Sequence, residues 1–235
     1  MDHADNKAAG VLLHLSYEEA LARERAMLVA ESNSDLRWML WQTAPCIVVP
    51  RSHENNADFA AAVMASAARG WPVQTRDTGG GAVVQGSGVV NLSMVFCMDD
   101  SVSDRIGASY RILCEPVMAM LRCRSIEGTY RAIPGTMCDG IYNIVVGEQK
   151  LAGTAQRWRS LGRQKPGQYA VLAHLALFVD LDHAQAAKAI NALYADMGVE
   201  AAIEATTHIN WTQIDAGSVG DVARELDAAC LALRR

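Results

Sequence analysis

Two side chains in this 235-residue sequence are suited by type and setting to chemistry at a carbonyl group, Cys138 and Lys150. Cys138 lies in "GTMCDGIYNI", behind Pro134-Gly135 and ahead of Asp139-Gly140, a setting that predicts a partly open loop. A thiolate is a competent nucleophile, and a neighbouring ammonium raises the thiolate fraction of a thiol. Making and breaking a thioester also needs donors for the oxyanion and a proton for the leaving group. Lys150 stands in "GEQKLAGTAQRW" among small and apolar residues, with Gly153 opening space nearby. Its ammonium either snorkels to the surface or points into a cleft as a point charge for a carbonyl or carboxylate. The two residues are twelve positions apart. Along a straight strand, thiol and ammonium would be on the order of 20 Å apart at ~3.3 Å per residue, so the Cys138 loop has to fold back for them to meet. The other cysteines form no CxxC pair and no His follows at zinc spacing, so no metal site is expected. Cys114 and Cys230 read as helical core.

A second constellation is "RDTGGGAVVQGSGVVNLS", residues 76–93. Gly79, Gly80 and Gly81 stand in what otherwise reads as sheet. Glycine weakens a strand, so three together suggest backbone that approaches something closely or takes positive φ. A plain turn is the alternative, although a turn needs one or two glycines and here Gly86 and Gly88 follow. The run does not continue to the Gly-Lys-Ser/Thr of a phosphate loop, nor open a helix as a dinucleotide fingerprint does. What remains is a flat backbone wall facing a ligand, with Arg76 placed to meet an anion.

This stretch resembles the R-x-(S/T)-GGG-x-V-x-x-x-x-G-x-x-N-x-S segment of the lipoate and biotin attachment superfamily, with Arg76, Thr78, Gly79, Gly80, Gly81 and Asn91 in register. About seventy residues on, Lys150, Gly153, Ala155 and Gln156 complete a segment similar to that family's K-x-x-G-x-A-Q, with Thr154 inside it. The resemblance implies a glycine-rich wall lining an acyl chain and a lysine at its carbonyl end. It also implies the fold: an α+β domain of the class II aminoacyl-tRNA synthetase/biotin synthetase kind, with a mixed, mostly antiparallel central sheet and packed helices. Gln85 stands where the ATP-using ligases often have His. "PCIVVPRSHENN" lacks the G-R-G-R loop of biotin ligases.

Within the superfamily, the segment at Cys138 resembles the C-P-G-x-Y-D-x-x-I-x-x-x-K pattern of the lipoyl-relay octanoyltransferases. Cys138, Gly140, Tyr142 and Lys150 match, while Asp139 and Asn143 replace Pro and Asp. The reading it implies is an acyltransferase carrying an octanoyl or lipoyl group as a Cys138 thioester, assisted by Lys150, to a lysine of a lipoyl-domain protein. Arg76 would lie near the donor's anionic end. No cofactor would be needed. The first alternative is an ATP- and Mg-dependent lipoate–protein ligase in which Cys138 is incidental. The second is a non-catalytic binder of lipoylated proteins, favoured by Gln85, Asp139 and Leu175. The implied partners are acyl carriers or lipoyl-domain proteins, such as the glycine cleavage H-type or 2-oxoacid dehydrogenase subunits. His174, in "AVLAHLALFVDLD", either lines the site or is a satisfied core histidine.

These residues need elements to hold them. Spacing predicts helices over 16–32, 56–70, 108–123, 184–198 and 218–235, with Pro116 near an end or at a kink of the third. It predicts strands at 36–42 and 46–50, two strands within 73–96, a hairpin over 141–158, a polar loop at 160–168 and a long strand over 169–182. Mixed strands and helices without a βαβ repeat favour one layered α+β domain over 1–235, with no C-terminal accessory domain. The net charge of −5 and the absence of a Lys/Arg cluster in the sequence argue against a nucleic-acid partner. No apolar run reaches membrane-span length, and "MDHADNKAAG" lacks the order of a signal peptide, so the expected setting is cytoplasmic.

Overall fold

The computed structural model describes residues 11–30, 36–163 and 165–234. The ends of the first and last predicted helices, at 31–32 and 235, and one residue of the 160–168 loop lie outside them, as does the N-terminal decapeptide. The central sheet has seven strands in the order β1-β2-β6-β10-β9-β8-β7. These are β1 (Leu12–His14), β2 (Arg37–Gln42), β6 (Val89–Asp99), β10 (Gln168–Phe178), β9 (Gln149–Ser160), β8 (Ile144–Val146) and β7 (Gly128–Tyr130). Only β1 and β2 run parallel; every other neighbouring pair is antiparallel. A second sheet sets β3 (Cys46–Pro50) between β4 (Val73–Arg76), parallel to it, and β5 (Val83–Gln85), antiparallel. The mixed, mostly antiparallel α+β architecture is the one expected.

Period-two alternation decides which residues meet on each face of the large sheet. In β6, Val90, Leu92 and Met94 join Val171 and Leu175 of β10 in a core covered by α3 (Arg105–Cys123) and α6 (Val219–Ala232). The intervening Asn91 and Ser93, with Trp41 and His174, turn to the other face, which α1 (Tyr17–Ala30) covers. Ser16 caps α1 reciprocally: its Oγ accepts from the Glu19 N–H at 3.2 Å and its N–H donates to Glu19 at 2.8 Å. A third core packs the small sheet against α4 (His183–Asp196) and α2 (Phe59–Ala68).

Three expectations change. The stretch 73–96 forms three strands, because Gly86-Ser87-Gly88 makes a turn between β5 and β6, and the glycine triplet lies in the loop between β4 and β5. Pro116 sits inside α3, where the buried stripe of Leu113, Val117, Met120 and Leu121 offsets its missing N–H. The 169–182 run ends as strand at Phe178, and Asp182 instead caps α4 by accepting from the Gln185 N–H at 2.9 Å. The short β1, β7 and α5 (Trp211–Ile214) were not anticipated. Among the described residues no helix is long and apolar enough to cross a membrane.

Candidate functional site

The chain between β7 and β8 does fold back. Its centre is Asp139, whose Oδ1 accepts from the Ile133 and Gly140 N–H groups and the Asn143 amide, each at 2.8 Å, and from Thr136 Oγ1 at 3.3 Å. The two departures from the relay pattern, at 139 and 143, are therefore bonded to each other. Cys138 takes φ +47, an uncommon conformation for a side-chain-bearing residue. The turn brings the backbone of Met137 and Cys138 over Lys150. The Lys150 ammonium, fully buried, donates to Met137 O at 2.5 Å and Cys138 O at 2.8 Å. An ammonium has three donors, so one remains for a ligand. Burial pushes the Lys150 pKa down from 10.5 to about 8 against the pull of Cys138 and Asp139. Gly153 makes the room: a Cβ there would stand 3.1 Å from both Lys150 Cε and Nζ.

His208 holds the same turn from the other side. Its Nε2 accepts the Met137 N–H at 3.0 Å and its Nδ1 lies 3.1 Å from Glu204 O. That network assigns a neutral ring with its proton on Nδ1. Burial, with His183 and Lys150 adding to it, lowers its pKa to about 4.

The thiol rests against the glycine loop. Arg76, 5% exposed, donates through Nη2 to Cys138 Sγ at 3.3 Å, to Gly79 O at 3.0 Å and to Gly81 O at 2.7 Å, and through Nη1 to Val48 O at 3.2 Å. A Cβ on Gly80, whose φ is +104, would lie 2.5 Å from Cys138 Sγ. One on Gly81 would lie 3.3 Å from the Tyr194 hydroxyl, which accepts the Ala82 N–H at 2.8 Å. Gly79 faces nothing within 4 Å. The triplet thus leaves space for a sulfur and a phenol.

Below this lies a narrow pocket of about 60 Å³. Leu21, Trp41, Val48, Val83 and Ala176 supply apolar wall; Cys138, Lys150, Gly153 and Thr154 line it too. Its polar lining is internally bonded. Glu24, 2% exposed, accepts from Ser93 Oγ at 2.5 Å and lies 3.6 Å from His174 Nδ1. His174 Nε2 lies 3.3 Å from Thr78 Oγ1, and Gln85 and Asn91 exchange amide bonds at 3.1 and 2.7 Å. Thr154 Oγ1 donates to Tyr142 O at 3.0 Å.

Of the residues singled out in the sequence, Arg76, Asn91, Cys138, Lys150, Gly153, Thr154 and His174 line one pocket, Gly80 and Gly81 back onto Cys138, Thr78 reaches the pocket through His174, and Gly79 stands apart. Arg76 is turned to the sulfur. Sequence reasoning missed Glu24, Tyr194 and His208. Glu24 had a signal: it is the one charge on the buried stripe Tyr17, Ala20, Glu24, Leu28. Nothing local marks His208.

Comparison with known proteins bears on this arrangement. The family model for the lipoyl protein ligase A/B catalytic domain matches residues 12–214. An uncharacterized protein of Cupriavidus necator is 33% identical over 219 residues, spanning 90% of this chain and 82% of that protein. An octanoyl-[GcvH]:protein N-octanoyltransferase of Kyrpidia tusciae is 33% identical over 211 residues, spanning 87% and 72%. Among solved structures, a putative lipoate protein ligase from T. acidophilum with bound lipoic acid superposes with a TM-score of 0.66 at 22% identity, covering 95% of this chain and 85% of that one. A lipoate-protein ligase A bound with ATP gives 0.65 at 20% identity, covering 95% and 85%. At such identities the structural likeness speaks for the fold.

Proposed function

Because the chain belongs to the lipoyl protein ligase A/B catalytic domain family, we propose that it is an acyltransferase of protein lipoylation, moving an octanoyl or lipoyl group through Cys138 to a lysine of a lipoyl-domain protein. The observation that carries the proposal is the position of Cys138 Sγ, on the pocket wall in the space Gly80 leaves open and 3.3 Å from an Arg76 donor. In the first step the sulfur attacks the carrier's acyl carbonyl. The C–S bond forms, the bond from the acyl carbon to the carrier breaks, and the carrier leaves with a proton. In the second step the neutral ε-amine of the acceptor attacks the thioester carbonyl, the amide forms, the sulfur departs towards Arg76, and the amine's proton is released. The remaining donor of Lys150 would meet the carbonyl oxygen as it gains charge in both steps. The apolar walls suit the chemistry of an acyl chain.

A thioester already holds the acyl group in activated form, so transfer written this way calls for neither ATP nor Mg. Arg76 is engaged with Val48, Gly79, Gly81 and the sulfur. The ligase alternative would require the Cys138 loop to move before that guanidinium met a phosphate. The relative from Kyrpidia tusciae, named for octanoyl transfer, supports the transferase reading. Partners would be lipoyl-domain proteins of the glycine cleavage H or 2-oxoacid dehydrogenase type, met in the cytoplasm. Incubation with an octanoylated carrier, followed by intact mass, tests the proposal. An octanoyl adduct present in the wild type and absent in Cys138→Ser is the expected result. Product formed only from ATP plus lipoate, and unaffected by that substitution, refutes it.

A further inference from the structure

Beside the site, three arginines from three elements converge on one carboxylate. Arg25 on α1, Arg51 in the 3₁₀ turn after β3 and Arg157 on β9 approach Asp77 at 3.5, 3.2 and 2.8 Å. Their side chains are 56%, 57% and 47% exposed. Asp77 follows Arg76, which lines the pocket, and leads into the loop that cradles the thiol, so three guanidiniums surround a single acid beside the site. The chain as a whole carries −5, so this concentration runs against its average charge. Half-exposed ion pairs add little stability, and three cations on one anion repel one another, so the fold gains little by gathering them. The other acids at the site are committed: Glu24 is buried against Ser93 and His174, and Asp139 is bonded to its own turn.

The acceptor in the proposed reaction presents a lysine, a cation in water. A partner bringing an ammonium up to these three guanidiniums meets repulsion that acidic groups of its own would offset. The same field disfavours the charged form of the incoming amine, and the neutral form is the one that attacks. We infer that Arg25, Arg51 and Arg157 form the docking surface for an acidic face of the acceptor protein, one whose carboxylates flank the target lysine. This rests on the transferase reading. Docking by exposed charges of this kind acts on encounter and is screened by salt.

The test separates loading from delivery in the Arg25→Gln/Arg51→Gln/Arg157→Gln triple variant. Cys138 is loaded from octanoyl-N-acetylcysteamine, a small uncharged donor, then mixed with an unmodified lipoyl domain at low and high salt. Loading is expected to match the wild type. KM for the domain is expected to rise about tenfold at low salt with kcat kept, and the salt dependence to flatten. A lipoyl domain whose acids next to the target lysine are changed to amides should impose the same loss on the wild type. Unchanged KM and salt dependence overturn the inference. So does a parallel loss of loading, which makes the cluster a strut of the thiol's cradle. Loss confined to ATP-driven lipoate activation also overturns it, assigning the arginines to a nucleotide's phosphates. If the wild type does not load at all, the transferase reading falls separately, and calorimetric titration of the lipoyl domain against wild type and variant still decides docking: equal affinities refute it.

Discussion

Gly79 and Gly80 are adjacent, identical in type and embedded in one motif, yet alanine at each should behave differently. At Gly80 a Cβ would sit 2.5 Å from Cys138 Sγ, and φ is +104. Backbone strain for a non-glycine residue in such a conformation costs about 1–3 kcal/mol. In a chain of this length that is a fall of roughly 2–12 °C in Tm. The steric term acts elsewhere, because relieving a 2.5 Å approach moves the sulfur on the order of 1 Å. Displacement of a reacting atom by that much slows chemistry on the order of 100-fold. At Gly79 a Cβ meets nothing within 4 Å and φ is not positive, so Gly79→Ala should melt and react as the wild type does. The assay is the time course of the octanoyl–Cys138 adduct by intact mass, beside a thermal melt of each variant. If Gly80→Ala loads Cys138 at the wild-type rate, or Gly79→Ala slows it equally, the thiol does not occupy the space assigned to it.

Lys150 is held near 8 against 10.5 unfolded, so stability should rise by on the order of 3 kcal/mol between about pH 8 and 10.5 and be lost as pH falls back through 8, a slope that Lys150→Met should abolish in denaturant titrations. Loading of Cys138 should in turn decline above about pH 8 as the ammonium loses its spare donor, with no such limb in the Lys150→Met variant. His208→Leu leaves the Met137 N–H buried without an acceptor, at about 1–3 kcal/mol, and should slow loading. In the wild type, stability held by neutral His208 is complete above pH 6.5 and should fall as pH drops through about 4, a loss absent in the variant. Asp139→Ala and Asn143→Ala should be non-additive, with a coupling of about 0.5–3 kcal/mol in a double-mutant cycle; additive losses would refute the bond between them.

The site was legible in the sequence where residue type limits the chemistry, and illegible where contacts join distant segments. Cys138 and Lys150 could be singled out because a thiol in a Gly-rich loop and a lysine among small residues stand at the spacing of the pattern they resemble. The apparent separation of on the order of 20 Å followed from extended geometry, which the Asp139 turn breaks. No local pattern announces that His208 and Arg76 join Lys150 in binding residues 137–138, since their contacts span 71 and 62 residues of chain. Arg76 could be read as an anion binder, and its partner proved to be the sulfur. Strands as short as β1 and β7 carry too few residues to show a period. In the glycine-rich run, one turn hid another, and three strands read as two.

Two cations at the Cys138 turn, one on the sulfur and one on the backbone carbonyls, suggest a division of work that suits the proposed relay. In the proposed reaction the same sulfur attacks in the first step and departs in the second, so whatever stabilises its negative charge would have to serve both directions without being consumed. A guanidinium does this, because it stays charged across the working range of pH and transfers no proton. Lys150, with two donors on the Met137 and Cys138 carbonyls, instead fixes the loop that carries the sulfur and has one donor left for the acyl oxygen. Exchanging the roles would fail on both counts. A lysine can lose its proton in alkali where a guanidinium does not, and the planar fork of an arginine would crowd the space beneath the turn, where a Cβ on Gly153 would already stand 3.1 Å from the present head group. On this argument Arg76→Lys, which keeps the charge, should load Cys138 slowly and release it slowly. Lys150→Arg should instead disorder the loop and lose both steps together.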